Sequence, residues 1–144
     1  MSKSYVMDAC ALIAFLRNEP GADIVTDLLR DAEVGHITVY MNRLNLLEVY
    51  YDAYRVDGKQ NADIEQKLIQ KLPITIRAGL SDATFLEAGR MKASYKMSLA
   101  DAVAVAEASA LGATLITADY EFDVVEKQER ITFQWIRPQK WKGG

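Results

Sequence analysis

Short apolar runs alternate with helical patterns along nearly the whole of this 144-residue chain. Tyr5-Val6-Met7, Ile37-Thr38-Val39-Tyr40, Ile74-Thr75-Ile76, Thr114-Leu115-Ile116-Thr117 and Thr132-Phe133-Gln134-Trp135-Ile136 each have the length and the β-branched or aromatic content of a strand. Between them lie segments whose apolar residues recur every three or four positions, the period of a helix packed on one side. Parallel neighbours need long crossovers, and helical crossovers cover both faces of a sheet. The alternation therefore predicts a three-layer α/β/α sandwich around a mainly parallel five-stranded sheet.

Punctuation supports the helical segments. Ala9–Leu16 follows the first strand without a break, and Pro20-Gly21 marks a turn before a helix over about 22–32. Leu44, Leu47, Tyr51 and Tyr54 recur through a predicted helix 42–55, and Ile64, Leu68, Ile69 and Leu72 through one over 61–72 that stops at Pro73. Ser81-Asp82 caps a segment reaching Tyr95, and Ser98 opens an alanine-rich helix that stops at Gly112. No repeat or Pro/Gly-rich linker divides the sequence, so one domain over 1–144 is expected, ending in a basic tail over 137–144 with Arg137, Lys140 and Lys142.

Residue counts remove several chemistries. One cysteine, Cys10, cannot close an intrachain disulfide, and one histidine, His36, cannot support a multi-histidine zinc site or a two-histidine ribonuclease. No run approaches the roughly 18 apolar residues of a membrane span. Ala9–Leu16 is apolar enough for a signal-peptide core, but Asp8 precedes it, Arg17-Asn18-Glu19 follows, and no small-residue cleavage site appears. A cytoplasmic protein is expected. The net charge of −3 disfavours a nucleic-acid partner at first sight. That objection weakens if acidic side chains are committed to metal, because bound cations reverse the local sign.

The acids carry the chemistry. Asp8 and Asp119 each lie just past an apolar strand, at the sheet edge where open parallel sheets bind ligands. Asp at such a junction is also a favoured helix cap, so the two together say more than either alone. Asp101 has a similar second explanation, as the third residue after Ser98 in a capping-box spacing. Glu48 sits in a nearly apolar stretch with no Lys or Arg three or four residues away, so it must reach water or hold a cation. Four converged carboxylates suit a hard divalent ion such as Mg²⁺ or Mn²⁺, which would orient water for attack on phosphorus.

The segments YVMDACALIAFLRNEPG, NLLEVYY, SLADAVAVAEA and ATLITADYEF resemble, in order and context, the acidic motifs of PIN domains, especially the VapC-type toxins of bacterial toxin–antitoxin pairs. The resemblance spans about residues 5–136. It implies a sheet order of 3-2-1-4-5 and a Mg²⁺- or Mn²⁺-dependent endoribonuclease acting on RNA. It also implies a homodimer and a small antitoxin that inhibits near the site. Asp8, Glu48, Asp101 and Asp119 take the family's catalytic, metal-binding positions, and Asp123 stands as an outer acid. Thr117 matches the TAD pattern, where its hydroxyl would support Asp119; as a β-branched residue it also simply suits a strand. Cys10 departs from the Ser or Thr common two residues after the first Asp, and a thiol is a weaker donor. With no histidine nearby in sequence, Cys10 is expected to be a buried neighbour of Asp8 and not a nucleophile.

Arg43 and Lys96, with Arg55, Lys59 and Lys92, flank the motifs and could contact RNA phosphates, although such residues also simply solvate a surface. Tyr50, Tyr51 and Tyr54 could stack bases, or pack in a core or dimer interface. Two other classes remain. A phosphoacceptor signalling domain also gathers Asp at strand ends, but Met7-Asp8 lacks an acidic pair and the last strand lacks a lysine. A catalytically silent PIN-like module would keep the architecture for dimerisation or partner capture. A dehalogenase-type phosphatase needs DxD, which Asp8-Ala9-Cys10 breaks.

Overall fold

The computed structural model of the chain describes residues 3–137. Five strands, β1 (Lys3–Met7), β2 (Ile37–Asn42), β3 (Thr75–Arg77), β4 (Thr114–Thr117) and β5 (Phe133–Trp135), form one sheet in the order β3-β2-β1-β4-β5. Every pairing is parallel, with Tyr5 opposite Val39 on one side and Thr114 on the other. The sheet order implied by the resemblance is the order observed.

Alternation along the central strands feeds two cores. Met7 and Ile116 face a cluster with Leu12, Val25 and Leu29, under helices α1 (Ala9–Leu16) and α2 (Ala22–Glu33). Val6 and Leu115 face the opposite cluster, under α5 (Asp82–Ser94) and α6 (Leu99–Leu111). The three layers follow. Helix α3 (Arg43–Asp57) packs against both α1 and α6, and α4 (Lys59–Ile69) packs against α3.

Several boundaries depart from the sequence pattern. The periodicity runs on to Leu72, yet α4 ends at Ile69, because a residue preceding proline is disfavoured in the helical region and the chain turns before Pro73. The third strand is correspondingly displaced to Thr75–Arg77. A single 3-10 turn, Tyr120–Phe122, and a six-residue helix α7 (Asp123–Gln128) occupy a segment that the apolar period does not mark. Only Phe122 and Val125 are buried there, too few positions for a pattern to show. Gly21 enters α2 at φ +100°, and a Cβ there would lie 2.3 Å from the Ile136 carbonyl oxygen. Glycine is thus required for the close approach that brings the end of β5 against the start of α2. Of the expected basic tail only Arg137 is described; 138–144 lie outside the described residues.

Candidate active site

Parallel strands end together, so residues just past β1, β4 and β5 arrive side by side. The Asp8 amide donates to the Ile116 carbonyl at 3.2 Å, and the Ile136 amide to the Thr117 carbonyl at 3.1 Å, extending the ladder to Asp8 and Ile136. Asp8 caps α1: its Oδ1 accepts from the Ala11 amide at 2.8 Å, so the capping role exists alongside any other. The Thr117 hydroxyl donates to Asp8 Oδ2 and accepts from the Asp119 amide at 3.0 Å. Thr117 therefore holds both aspartates, Asp8 by its side chain and Asp119 by its backbone amide. The Asp119 side chain in turn accepts from the Glu121 amide at 2.9 Å.

Helices supply the other two acids. Ser98 caps α6 by accepting from the Asp101 amide at 3.1 Å, which fixes the backbone of Asp101 at the mouth of the helix. Glu48 projects from the middle of α3. Glu48, Asp101 and Asp119 line one pocket of about 420 Å³ together with Ser98, Cys10 and Tyr51. Asp8 lies behind it, 1% exposed.

The electrostatics are those of like charges held together. Burial pushes the Asp8 carboxyl up to about 7; the Thr117 and Ala11 hydrogen bonds oppose this, and Asp101 and Asp119 add to it. Asp101 rises to about 6, through burial first and then the charges of Asp119 and Glu48. Burial also raises Glu48. The Cys10 thiol is pushed up to about 12 by burial and by Asp8, which leaves it protonated and a poor nucleophile.

The remaining positions singled out in the sequence are distributed around this pocket. Asp123 does not line it; at the start of α7 it pairs with Lys127 at 3.0 Å, while Glu121 bears on the charge of Asp101. Lys96 is exposed in an adjoining groove with Lys92, Met97 and Glu121, and Ser98 lines both groove and pocket. Lys92 is tethered to the Met97 carbonyl at 2.7 Å. Arg43 opens α3 in a separate groove beside Leu46 and Tyr50. Arg55 and Lys59 are taken up by Asp52 and Asp63. Tyr50 braces α3 to α4 by donating to Asp63 at 2.7 Å and meets Tyr54 edge-on. Only Tyr51 of the three tyrosines lines the pocket, 62% exposed.

One residue that sequence reasoning consigned to the tail belongs to the pocket. Arg137 lines it with its side chain 6% exposed and forms a 3.5 Å ion pair with Glu19. Its backbone is fixed by the Tyr120 hydroxyl, which donates to the Arg137 carbonyl at 2.7 Å, while the Tyr120 ring stacks on Trp135 at 4.2 Å. The signal was available: Arg137 stands two residues past β5 as Asp119 stands two past β4. The strand-end rule applied to polar residues of either sign, and not to acids alone, finds it.

The donor set suits a hard cation, since every carboxylate is an oxygen ligand and two of them are held under mutual repulsion that a cation would relieve. Among the described residues no three acidic, cysteine or histidine side chains are close-set enough to chelate one ion directly. An open site of this kind fits magnesium-like ions, which keep several waters and take one or two carboxylates together with substrate phosphate. No helix among the described residues is long and apolar enough to cross a membrane.

The sequence profile of the PIN domain matches residues 5–128. No curated protein sequence matches the chain. Among solved structures, VapBC2 of Rickettsia felis bound to a promoter DNA fragment superposes with a TM-score of 0.69 at 15% identity, covering 91% of this chain and 97% of that one. VapBC-1 of nontypeable Haemophilus influenzae gives 0.67 at 18% identity, with 92% and 97% covered. VapC20 of Mycobacterium tuberculosis, described as a toxin cleaving the sarcin-ricin loop, gives 0.63 at 12% identity, with 85% and 95% covered. At these identities the likeness is one of fold.

Proposed function

The chain belongs to the PIN domain family, and from that premise we propose that it is a divalent-metal-dependent endoribonuclease, the toxin of a toxin–antitoxin pair. The observation that carries the reading is the convergence of Glu48, Asp101 and Asp119 from three separate elements on one pocket, with buried Asp8 behind them. Asp8, Glu48, Asp101 and Asp119 would hold Mg²⁺ or Mn²⁺, with Asp123 at most an outer contributor. When bound, such a cation supplies Lewis-acid polarisation of a phosphate and makes water a better nucleophile at neutral pH.

The chain's own residues set the conditions for that chemistry. Thr117 and the Ala11 amide hold Asp8 in one rotamer, so its carboxylate presents fixed lone pairs. Asp101, held up to about 6 by burial and by the charges of Asp119 and Glu48, is a group whose ionisation a bound cation would favour. Arg137, buried in the lining and paired with Glu19, brings a positive charge to an otherwise acidic pocket that an RNA phosphate would enter. Lys96, in the adjoining groove, is the candidate contact for a flanking phosphate, and Arg43 a more remote one. An antitoxin as inhibitory partner belongs to the proposal, supported by the VapBC structures that share the fold; a homodimeric assembly and a cytoplasmic setting are proposed with it.

Incubating purified protein with structured and single-stranded RNA tests it. Cleavage should require Mg²⁺ or Mn²⁺, stop with chelator, and be lost in a folded Asp119→Asn variant. Metal-independent cleavage, or full activity in that variant, contradicts the proposal. The spacing of the acids, with no close-set chelating triad among the described residues, favours one competing reading, a silent binding module. A folded protein that takes up no Mn²⁺ near neutral pH would identify it.

A further inference from the structure

Helix α6 is buried on nearly every side from Ala102 to Ala108, and mostly through small residues: Ala102, Ala104, Ala106 and Ala108, with Val103 and Val105. Small side chains interlock weakly, so apolar contact alone specifies weakly where Asp101 stands. Two polar bolts join α3 to this helix. The Asn45 side chain, 0% exposed, donates from Nδ2 to the Ala100 carbonyl at 3.0 Å. Asn42, the cap of α3, donates from its own Nδ2 to Glu107 Oε2 at 3.3 Å and to the Gly79 carbonyl at 3.0 Å. Glu107 is anchored further by Arg77 and Thr84, each at 2.7 Å. Two fixed points on each helix determine both their separation and their crossing angle.

The first bolt lies at the site. Asn45 is one helical turn before Glu48, and Ala100 immediately precedes Asp101. The Ala100 carbonyl lies within α6, where the helical ladder already provides a donor, so the Asn45 bond is not needed to satisfy it. Moreover Asn45 Oδ1 is buried with no partner among the described residues, a cost to stability that leucine at this position would not carry. A residue that burdens the core while linking the carriers of two site acids is more readily explained by the site than by the fold.

Resting on the metal-site reading above, we infer that Asn45 is a positioning residue: by bolting α3 to α6 at Ala100 it sets the spacing of Glu48 and Asp101 at which a divalent cation is held.

The test compares Mn²⁺ affinity with melting temperature in the full chain for the wild type, Asn45→Leu and a control, Val49→Ala, which cuts a buried apolar contact of the same helix. Asn45→Leu should melt at or above the wild-type temperature yet bind Mn²⁺ about tenfold or more weakly, the range in which loss of an outer partner of a ligand falls. Val49→Ala should melt lower, with the affinity of the folded protein retained. Wild-type affinity in Asn45→Leu overturns the inference; so does an equal loss in Val49→Ala, which would mean that loosening α3 in any way suffices. If Asn45→Leu does not fold, Asn45→Ala takes its place under the same criteria. A wild type that binds no Mn²⁺ overturns the metal-site reading itself, a result distinct from either.

Discussion

Among the described residues two carboxylates are almost wholly buried, and they live in opposite company. Glu107, 0% exposed, is met by the Arg77 guanidinium, the Thr84 hydroxyl and the Asn42 amide. Asp8, 1% exposed, is hydrogen-bonded by Thr117 and Ala11 but faces the charges of Asp101 and Asp119. A buried charge is tolerable when paired, and Glu107 is a structural knot joining α6, α5, α3 and β3. Asp8 is held where its charge is opposed, an arrangement that the proposed cation would relieve. Burial alone therefore does not separate structural from functional acids; the sign of the neighbours does.

The comparison breaks first at Glu107. Glu107→Ala should lower the folding free energy by about 3 kcal/mol, the low end of the range for breaking a buried pair because Arg77 can partly reach water. Chemical denaturation measures it, and a loss well below 1 kcal/mol would mean that the knot is not structural.

The pH dependence of stability sharpens the other side. Asp8 titrates near 7 when folded and near 3.8 when unfolded, so the native state binds the extra proton between those values. Its stabilising contribution is complete below about 4 and is lost as pH rises through 7. Metal-free protein should lose about 3 kcal/mol between pH 5 and pH 8, since this window spans about two pKa units and each corresponds to about 1.4 kcal/mol. Saturating Mn²⁺ should flatten or reverse the slope. A metal-free protein equally stable at both pH values contradicts the electrostatic account of the site.

A smaller effect is expected at the link between the aspartates. Thr117→Val removes the donor to Asp8 and the acceptor for the Asp119 amide and should cost about 1 kcal/mol by denaturation, while Thr117→Ser should retain most of the stability and any cleavage activity. The smallest concerns Lys96, exposed and outside both knots. Lys96→Ala should leave melting unchanged and, if the groove carries RNA, reduce the salt dependence of RNA binding by about one phosphate contact. An unchanged slope removes Lys96 from the RNA path.

Most of the scaffold was legible because it rests on local signals. Apolar runs gave the strands, and Ser98 and Gly112 bracketed α6 as their chemistry dictates. The Asp8 and Asp119 positions followed from the rule about strand ends. What escaped rests on contacts distant in sequence. Glu107 meets Arg77 across 30 residues and Asn42 across 65, and in an alanine-rich helix such an acid reads as a solvated turn. Asn45, between Leu44 and Leu46, carries no periodic signal that it reaches α6. Arg137 was hidden by its basic neighbours in sequence, although its position past β5 pointed to the same edge as the aspartates.

The central claim is that the acids are gathered to hold a divalent ion, and calorimetric titration with Mn²⁺ in two buffers of different ionisation enthalpy tests it most directly. At pH 6 binding should release protons, because Asp8 and Asp101 are then partly protonated; by pH 8 the release should vanish and the affinity rise, and Asp8→Asn should bind far more weakly at both. Folded wild-type protein that takes up no Mn²⁺ at either pH, or an Asp8→Asn variant that binds as tightly, would contradict it.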